Sequence, residues 1–236
     1  MTSEQWHNVE SGRVFLLGTG PSLIAQLPLL EKLRGEKTFG CNGLPKWGAL
    51  PFDPTYYALT DVHKASELRQ FVFPERHMTR FNIGWADREN ISEFNWIEKA
   101  RDHVQVWSHG FVGFEDMLAP IPTGRTSPLT MCQLAAWLGF REFYFLGIEQ
   151  SQYGYCFDPS ATMSVRGMDL GTGRGQKYLL AVQRCFTKAR ETIEANGGKI
   201  YDCTPGGFLN DTCSFKRRGV PQKAILPYKS LEEVLK

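Results

Sequence analysis

Val14-Phe15-Leu16-Leu17-Gly18-Thr19-Gly20-Pro21-Ser22-Leu23 is the stretch whose pattern decides the fold. The apolar run reads as a buried strand. Gly18 and Gly20 punctuate a tight turn, and Pro21 stands where a first helical residue is favoured. Strand, glycine turn and helix in that order leave free backbone N–H groups and the positive end of a helix dipole at one edge, an arrangement that suits a phosphate. The plainer alternative is a tight turn with no ligand.

The turn matches only part of the dinucleotide fingerprint G-x-G-x-x-G, because Leu23 stands at the third glycine position. An NAD site also wants an acidic residue about 20 positions further on, at the end of the second strand. Here that strand, Lys37-Thr38-Phe39-Gly40-Cys41, ends in Asn42. A neutral amide can bond a ribose or a base edge without bringing charge into the site. This argues against hydride chemistry and for another nucleotide-dependent reaction.

Outward from this unit the chain alternates short apolar runs with amphipathic ones. Strands are expected at Arg13 to Leu17, Lys37 to Cys41, Tyr56 to Thr60, Met78 to Ile83, His103 to Trp107, Glu142 to Leu146 and Lys199 to Cys203. Helices are expected from Ser22 to Leu33, Pro128 to Leu138 and Gln176 to Ala195, the last two closed by Gly139 and by Asn196-Gly197-Gly198. The pattern predicts a Rossmann-like α/β fold, a mostly parallel twisted sheet with helices on both faces. Ligands then gather at the carboxyl ends of the strands. The stretch from Ser151 to Gly175 has little periodicity and is expected to be a long, lid-like loop. With 236 residues the chain is expected to form a single nucleotide-binding domain, a C-terminal tail from about 215 to 236 packing on it.

Composition excludes several classes. The six cysteines show no C-x-x-C pair and no Cys/His cluster at zinc spacing, so neither a disulfide framework nor a structural metal is indicated. Reduced thiols in a cytoplasmic protein are expected. No basic-then-apolar leader opens the chain and no run reaches membrane-span length. With 27 basic against 25 acidic residues, the net charge carries no nucleic-acid signature; Lys216-Arg217-Arg218 with Lys223 is a local basic cluster.

Chemistry-bearing residues fall at strand ends. Asp61, with His63 close behind, follows the third strand, where a carboxylate accepts a proton, binds magnesium or merely caps a helix. Glu149, after Gly147, closes the strand ending at Leu146 and should face the same edge as Gly18 and Asp61. Thr123-Gly124-Arg125-Thr126-Ser127-Pro128 places hydroxyls and a cation before a helix, a second anion cradle in which Ser127 is a ligand contact or an N-cap. Tyr153, Tyr155, Arg166, Asp169 and Arg174 populate the expected lid, where they stack on a base, clamp a sugar or face solvent. His109 is the best-placed imidazole for general-base work. Trp107, Trp137 and Phe140 belong to the core rather than to a binding platform.

These motifs, together with the run Leu134-Ala135-Ala136-Trp137-Leu138-Gly139-Phe140-Arg141-Glu142-Phe143-Tyr144-Phe145-Leu146-Gly147-Ile148-Glu149, resemble the bacterial CMP-sialic-acid-dependent sialyltransferases and the related 6-hydroxymethylpterin diphosphokinase-like domains. The resemblance spans roughly residues 13 to 210. Gly197-Gly198-Lys199-Ile200-Tyr201-Asp202-Cys203-Thr204-Pro205-Gly206-Gly207 is similar to the late strand and Gly-rich turn of the diphosphokinase-like domains. The resemblance implies that the first turn and Asn42 line a nucleotide pocket and that the segment around Ser127 faces the donor. Two positions depart from the pattern. The sialyltransferases carry a catalytic histidine after the strand that ends here at Glu149, whereas all five histidines of this chain lie at or before His109. Glutamate also stands at position 149 where those families usually have aspartate.

Three functions follow. The first is an inverting glycosyltransferase with a CMP- or UDP-type nucleotide-sugar donor. Its nucleotide is held among Gly18, Thr19, Gly20, Pro21, Ser22, Asn42, Arg125, Thr126, Ser127 and Gly147, and Asp61, His109 or Glu149 serves as base. Tyr153, Tyr155 and Arg166 would meet the acceptor, which is a glycan, a small metabolite or a modified nucleic acid. The second is an ATP-dependent pyrophosphoryl transferase, with magnesium held by Asp61 and Glu149. The third is a non-catalytic nucleotide-binding module.

Overall fold

Four apolar residues in a row need cover on both faces, and β1 (Arg13–Leu17) has it: Val14, Phe15, Leu16 and Leu17 are fully buried at the centre of a parallel sheet. The computed structural model describes residues 7–60, 79–82, 126–149, 153–162, 173–210 and 224–236. Around β1 lie β2 (Thr38–Cys41), β3 (Tyr56–Leu59), β4 (Thr79–Asn82), β5 (Glu142–Leu146) and β8 (Lys199–Asp202), in the order β4-β3-β2-β1-β5-β8. Every neighbouring pair in this sheet is parallel, with β1 meeting β2 through Leu16 opposite Phe39 and β5 through Phe15 opposite Tyr144.

The period of two along each strand sorts side chains onto two faces. Val14, Leu16, Phe143 and Phe145 join one core with α2 (Ser127–Leu138) and α3 (Gly173–Ala195). Phe15, Leu17, Tyr144 and Leu146 join the other with α1 (Ser22–Leu30) and α4 (Leu231–Val234). Helices therefore cover both faces, and the fold is the expected α/β one. From Pro128 to Leu138 every residue of α2 is buried, because β1 and β2 lie on one side of it and α3 on another. Gly139 closes α2 at φ 114°, a conformation L side chains avoid. Trp137 and Phe140 are core residues, as expected.

Two sequence expectations change. The first helix ends at Leu30 and passes into one 3-10 turn, Glu31–Leu33, with Pro28 inside its last turn. Part of the stretch expected to be a structureless loop is an antiparallel hairpin, β6 (Tyr153–Tyr155) and β7 (Asp158–Thr162). Glycine, proline and polar residues hide its alternation from a period count. The strand expected at 103–107, His63, Trp107, Asp169 and the basic cluster at 216–218 lie outside the described residues. The C-terminal segment 224–236 packs on both cores through Ile225, Leu226, Leu231 and Val234, and α4 is started by a Ser230/Glu233 capping box. Among the described residues no helix is long and apolar enough to cross a membrane.

Candidate functional site

Chain order runs outward from β1 to β4 and then returns to β5 on the opposite side of β1, so the order reverses at the β1/β5 boundary. In open α/β sheets the carboxyl ends at such a boundary are where ligands bind. Here the turns after β1 and β5 are laced together by backbone hydrogen bonds, Gly18 N to the Leu146 carbonyl and Gly20 N to the Gly147 carbonyl, both 2.8 Å. This close approach explains the glycines. A Cβ on Gly18 would lie 2.3 Å from the Gly147 carbonyl oxygen. Gly147 itself has φ 68° and abuts the Leu23 side chain, the residue that replaces the third fingerprint glycine.

The positive end of α1 holds an anion supplied by the chain itself. Ser22 N donates to Glu149 Oε1 at 2.6 Å, a short charge-assisted bond at a helix N-terminus. The other carboxylate oxygen rests against Gly20, where a Cβ would fall 1.4 Å from Oε2. Gly20 is thus needed for the glutamate as well as for any ligand. Glu149 Oε2 and Ser22 Oγ are both buried and have no hydrogen-bond partner among the described residues. The glutamate at position 149, one methylene longer than aspartate, spans from the end of β5 to the start of α1.

A second constellation joins β2, β3 and α2. Asn42 takes a left-handed backbone, φ 42°, tolerated by asparagine, and its carbonyl accepts from the buried Tyr57 hydroxyl. Its amide donates to Thr60 Oγ1 at 3.0 Å and to Ser127 Oγ at 2.7 Å, while Oδ1 accepts from Thr60 N at 2.9 Å. The Thr60 and Ser127 hydroxyls are 2.6 Å apart. Thr126, in extended conformation, occupies the N-cap position and Ser127 is the first helical residue. Two hydroxyls and an amide therefore converge at the positive end of a helix.

The hairpin closes on the turns after β1 and β2. Cys156 N donates to the Thr19 carbonyl at 2.8 Å. The Phe157 ring lies on Gly43, where a Cβ would approach Cε1 to 2.7 Å. Tyr155 stacks on Phe157 at 4.8 Å with the rings 10° apart, and Lys46 Nζ lies 5.7 Å from the Phe157 centroid. One expected lid residue, Tyr155, is thereby brought beside the first turn.

Behind the turns lies a buried polar knot. Asp202, fully buried at the end of β8, accepts from Thr204 N at 2.9 Å and from Asn210 Nδ2 at 2.7 Å. Burial pushes its carboxyl up to about 7 against the pull of those donors, and the Glu149 charge adds to the rise. Because the folded value lies above the ordinary one, the folded state binds the extra proton between about pH 4 and pH 7. Stability from this group is present at the acid end of that window and is lost as pH rises through about 7, by at most roughly 1.4 kcal/mol per pH unit. Asp202→Asn removes the titration. The melting temperature of the variant, relative to the parent, is expected to rise between pH 5 and pH 8, and a constant difference would show that Asp202 does not titrate there.

The structure brings together Gly18, Thr19, Gly20, Pro21, Ser22, Gly147 and Glu149 in one pair of turns, and Asn42, Thr126 and Ser127 at a neighbouring edge. For Tyr153 the described geometry is its backbone pairing with Thr162. Asp61, His109, Arg125 and Arg166 lie outside the described residues. Sequence reasoning missed Thr60, Phe157, Asp202, Thr204 and Asn210. The signal for Asp202 was present as a lone acid ending an apolar strand before Thr204-Pro205-Gly206-Gly207. No metal-holding group of three or more His, Cys, Asp or Glu occurs among the described residues.

No protein-family model matches the chain, and no curated protein matches it. Among solved structures, the chain is similar to one described as a structural analysis of the sialyltransferase CstII from Campylobacter jejuni in complex with a substrate analogue, cytidine-5'-monophosphate. The identity is 16%, the TM-score 0.47, and the match covers 84% of this chain and 82% of that one.

Proposed function

We propose that the chain is a nucleotide-dependent transferase, specifically a glycosyltransferase with a CMP- or UDP-type sugar donor. The observation that carries this is the meeting of Asn42, Thr60 and Ser127 at the N-terminus of α2, one strand away from the glycine turn of β1. A neutral amide and two hydroxyls suit ribose hydroxyls or phosphate oxygens, and the dipole end of α2 favours the phosphate. Arg125, next to Thr126 in sequence, is the residue we assign to supply the cation for a leaving nucleotide phosphate. The motif resemblance to CMP-sialic-acid-dependent enzymes points to the same donor class.

In the transfer step an acceptor hydroxyl loses its proton to a base and its oxygen attacks the anomeric carbon. The bond from that carbon to the nucleotide phosphate breaks, and the electron pair leaves on the phosphate. The leaving charge is met by helix N-termini already in place. Glu149 is the described candidate for the base. To act, it leaves Ser22 N, which frees the α1 terminus for the phosphate. Magnesium fits this arrangement poorly, since a cation on Glu149 would sit against the positive end of α1. That counts against pyrophosphoryl transfer, in which Asp61 and Glu149 would share the metal.

A thermal-shift screen against CMP, UDP, ADP, ATP and the corresponding nucleotide sugars, with and without magnesium, tests the proposal. A ligand that binds only the folded protein must raise the melting temperature, by about 2.7 kcal/mol of stabilisation at a hundredfold excess over Kd. A shift with CMP or UDP that is indifferent to magnesium is expected. A shift with ATP alone that needs magnesium supports the pyrophosphoryl alternative. Silence towards every nucleotide overturns the nucleotide site, and binding without product formation leaves a non-catalytic module.

A further inference from the structure

The site residues described above leave the Asp202 knot without a task, and its connections supply one. Thr204, whose N–H binds the Asp202 carboxylate, accepts from Ile148 N through Oγ1 at 3.0 Å. Asn210 binds Asp202 Oδ2 and the Thr204 carbonyl with one amide nitrogen, at 2.7 and 2.8 Å, which folds the turn after β8 back on itself. From that turn Phe208 N reaches the Glu149 carbonyl at 3.0 Å. The backbone of Ile148 and Glu149, the segment that delivers the Glu149 carboxylate, thus hangs from the turn that Asp202 organises. The same turn grips α1: Gln26 Nε2 donates to the Cys203 carbonyl at 2.9 Å. Both halves of the Ser22–Glu149 contact are therefore referenced to one buried scaffold.

A turn held only for stability could use an apolar residue at position 202, since a buried carboxylate is costly and must be matched by donors. Asp202 is matched from both sides, and it is the hub at which Thr204 and Asn210 meet. We infer that Asp202 is a positioning residue that acts through Thr204, Asn210 and Phe208 to set the Glu149 carboxylate at the N-terminus of α1. This rests on the proposed role of Glu149 in transfer, but the contact it concerns is read without any activity.

The Ser22 amide is the reporter. Its proton, bound to a carboxylate at 2.6 Å, gives a downfield resonance and slow exchange in amide spectra of the full chain. Glu149→Gln supplies the reference position of that resonance when the carboxylate is gone. Asp202→Asn, which leaves one acceptor where two are used and so sets an NH2 against either Thr204 N or Asn210 Nδ2, is expected to move the Ser22 signal towards that reference. It should also raise Ser22 exchange by about tenfold or more, the equivalent of at least 1.4 kcal/mol of lost protection, while amides of β1 and β5 keep theirs. The swapped pair Asp202→Asn with Asn210→Asp restores one amide-to-carboxylate bond across the same gap and should return the signal most of the way. Thr204→Val, which keeps size and removes the acceptor for Ile148 N, should act in the same direction if the Asp202 variant fails to fold. A Ser22 resonance unchanged in folded Asp202→Asn or Thr204→Val overturns the inference. Because the readout involves no nucleotide and no product, failure of the transferase proposal leaves this result intact.

Discussion

Replacing Glu149 by glutamine is expected to lower transfer turnover by a factor of about 100 or more, the usual scale for loss of a positioned base. The same change is expected to tighten binding of the nucleotide product. The two effects share a cause. Glutamine is near-isosteric but cannot accept the acceptor proton, and its neutral amide holds Ser22 N less strongly than a carboxylate does. The α1 terminus is then easier for a phosphate to claim, and the repulsion between two anions disappears. Removing one negative charge beside the phosphate is expected to give a several-fold gain in CMP affinity that shrinks as salt is added. Single-turnover rates and calorimetric titration measure the two quantities separately. Parental turnover would leave Glu149 with no task beyond holding the helix end, and unchanged CMP affinity would place the phosphate away from α1.

Gly18→Ala is expected to be the most destabilising single methyl addition among the site glycines. The new Cβ would meet the Gly147 carbonyl at 2.3 Å, and both atoms belong to strand-end backbone already joined by the Gly18–Leu146 and Gly20–Gly147 bonds. Neither side can yield without parting β1 from β5. A cost of about 3 kcal/mol or more corresponds to a fall in melting temperature of roughly 6–12 °C for a chain of this size. Gly20→Ala meets the end of a flexible side chain first, Glu149 Oε2, and the Gly147 carbonyl at 2.7 Å. It should cost less in stability and act instead by pushing the glutamate off Ser22. Gly48→Ala, with nothing within 4 Å and no unusual φ, is the control. If Gly18→Ala and Gly48→Ala melt together, the two turns are not packed as described.

These glycines show where a sequence pattern carries a fold but not its reason. Gly18 and Gly20 announced a tight turn at a helix start, and such turns usually leave room for phosphate. The room at Gly20 is filled by Glu149, a residue from another strand, and no local pattern can register that. Asn42 and Ser127 were legible as residues at strand and helix ends. Thr60 was not, since it reads as the last residue of the expected strand Tyr56 to Thr60, and only the side-by-side ends of β2 and β3 bring its hydroxyl to both partners. The hairpin was missed because Tyr153, Gly154 and Tyr155 are too few to display a period, and the residues that anchor it to a core, Cys156 and Phe157, lie in its turn.

By itself the sequence determined the class of fold: buried apolar runs of strand length, alternating with helical periods and closed by glycines, allow little except a parallel sheet between helices. Tertiary structure alone decided which polar groups share the carboxyl edge. Strand order puts β5 beside β1, so Glu149 can cross the boundary to cap α1, and it puts β8 beside β5, so buried Asp202 can hold the turn that carries Glu149. Hydrophobic periodicity is local and short-ranged, whereas hydrogen bonds between turns depend on strand neighbours and on angstrom-scale approach, and those are set only when the whole sheet has formed.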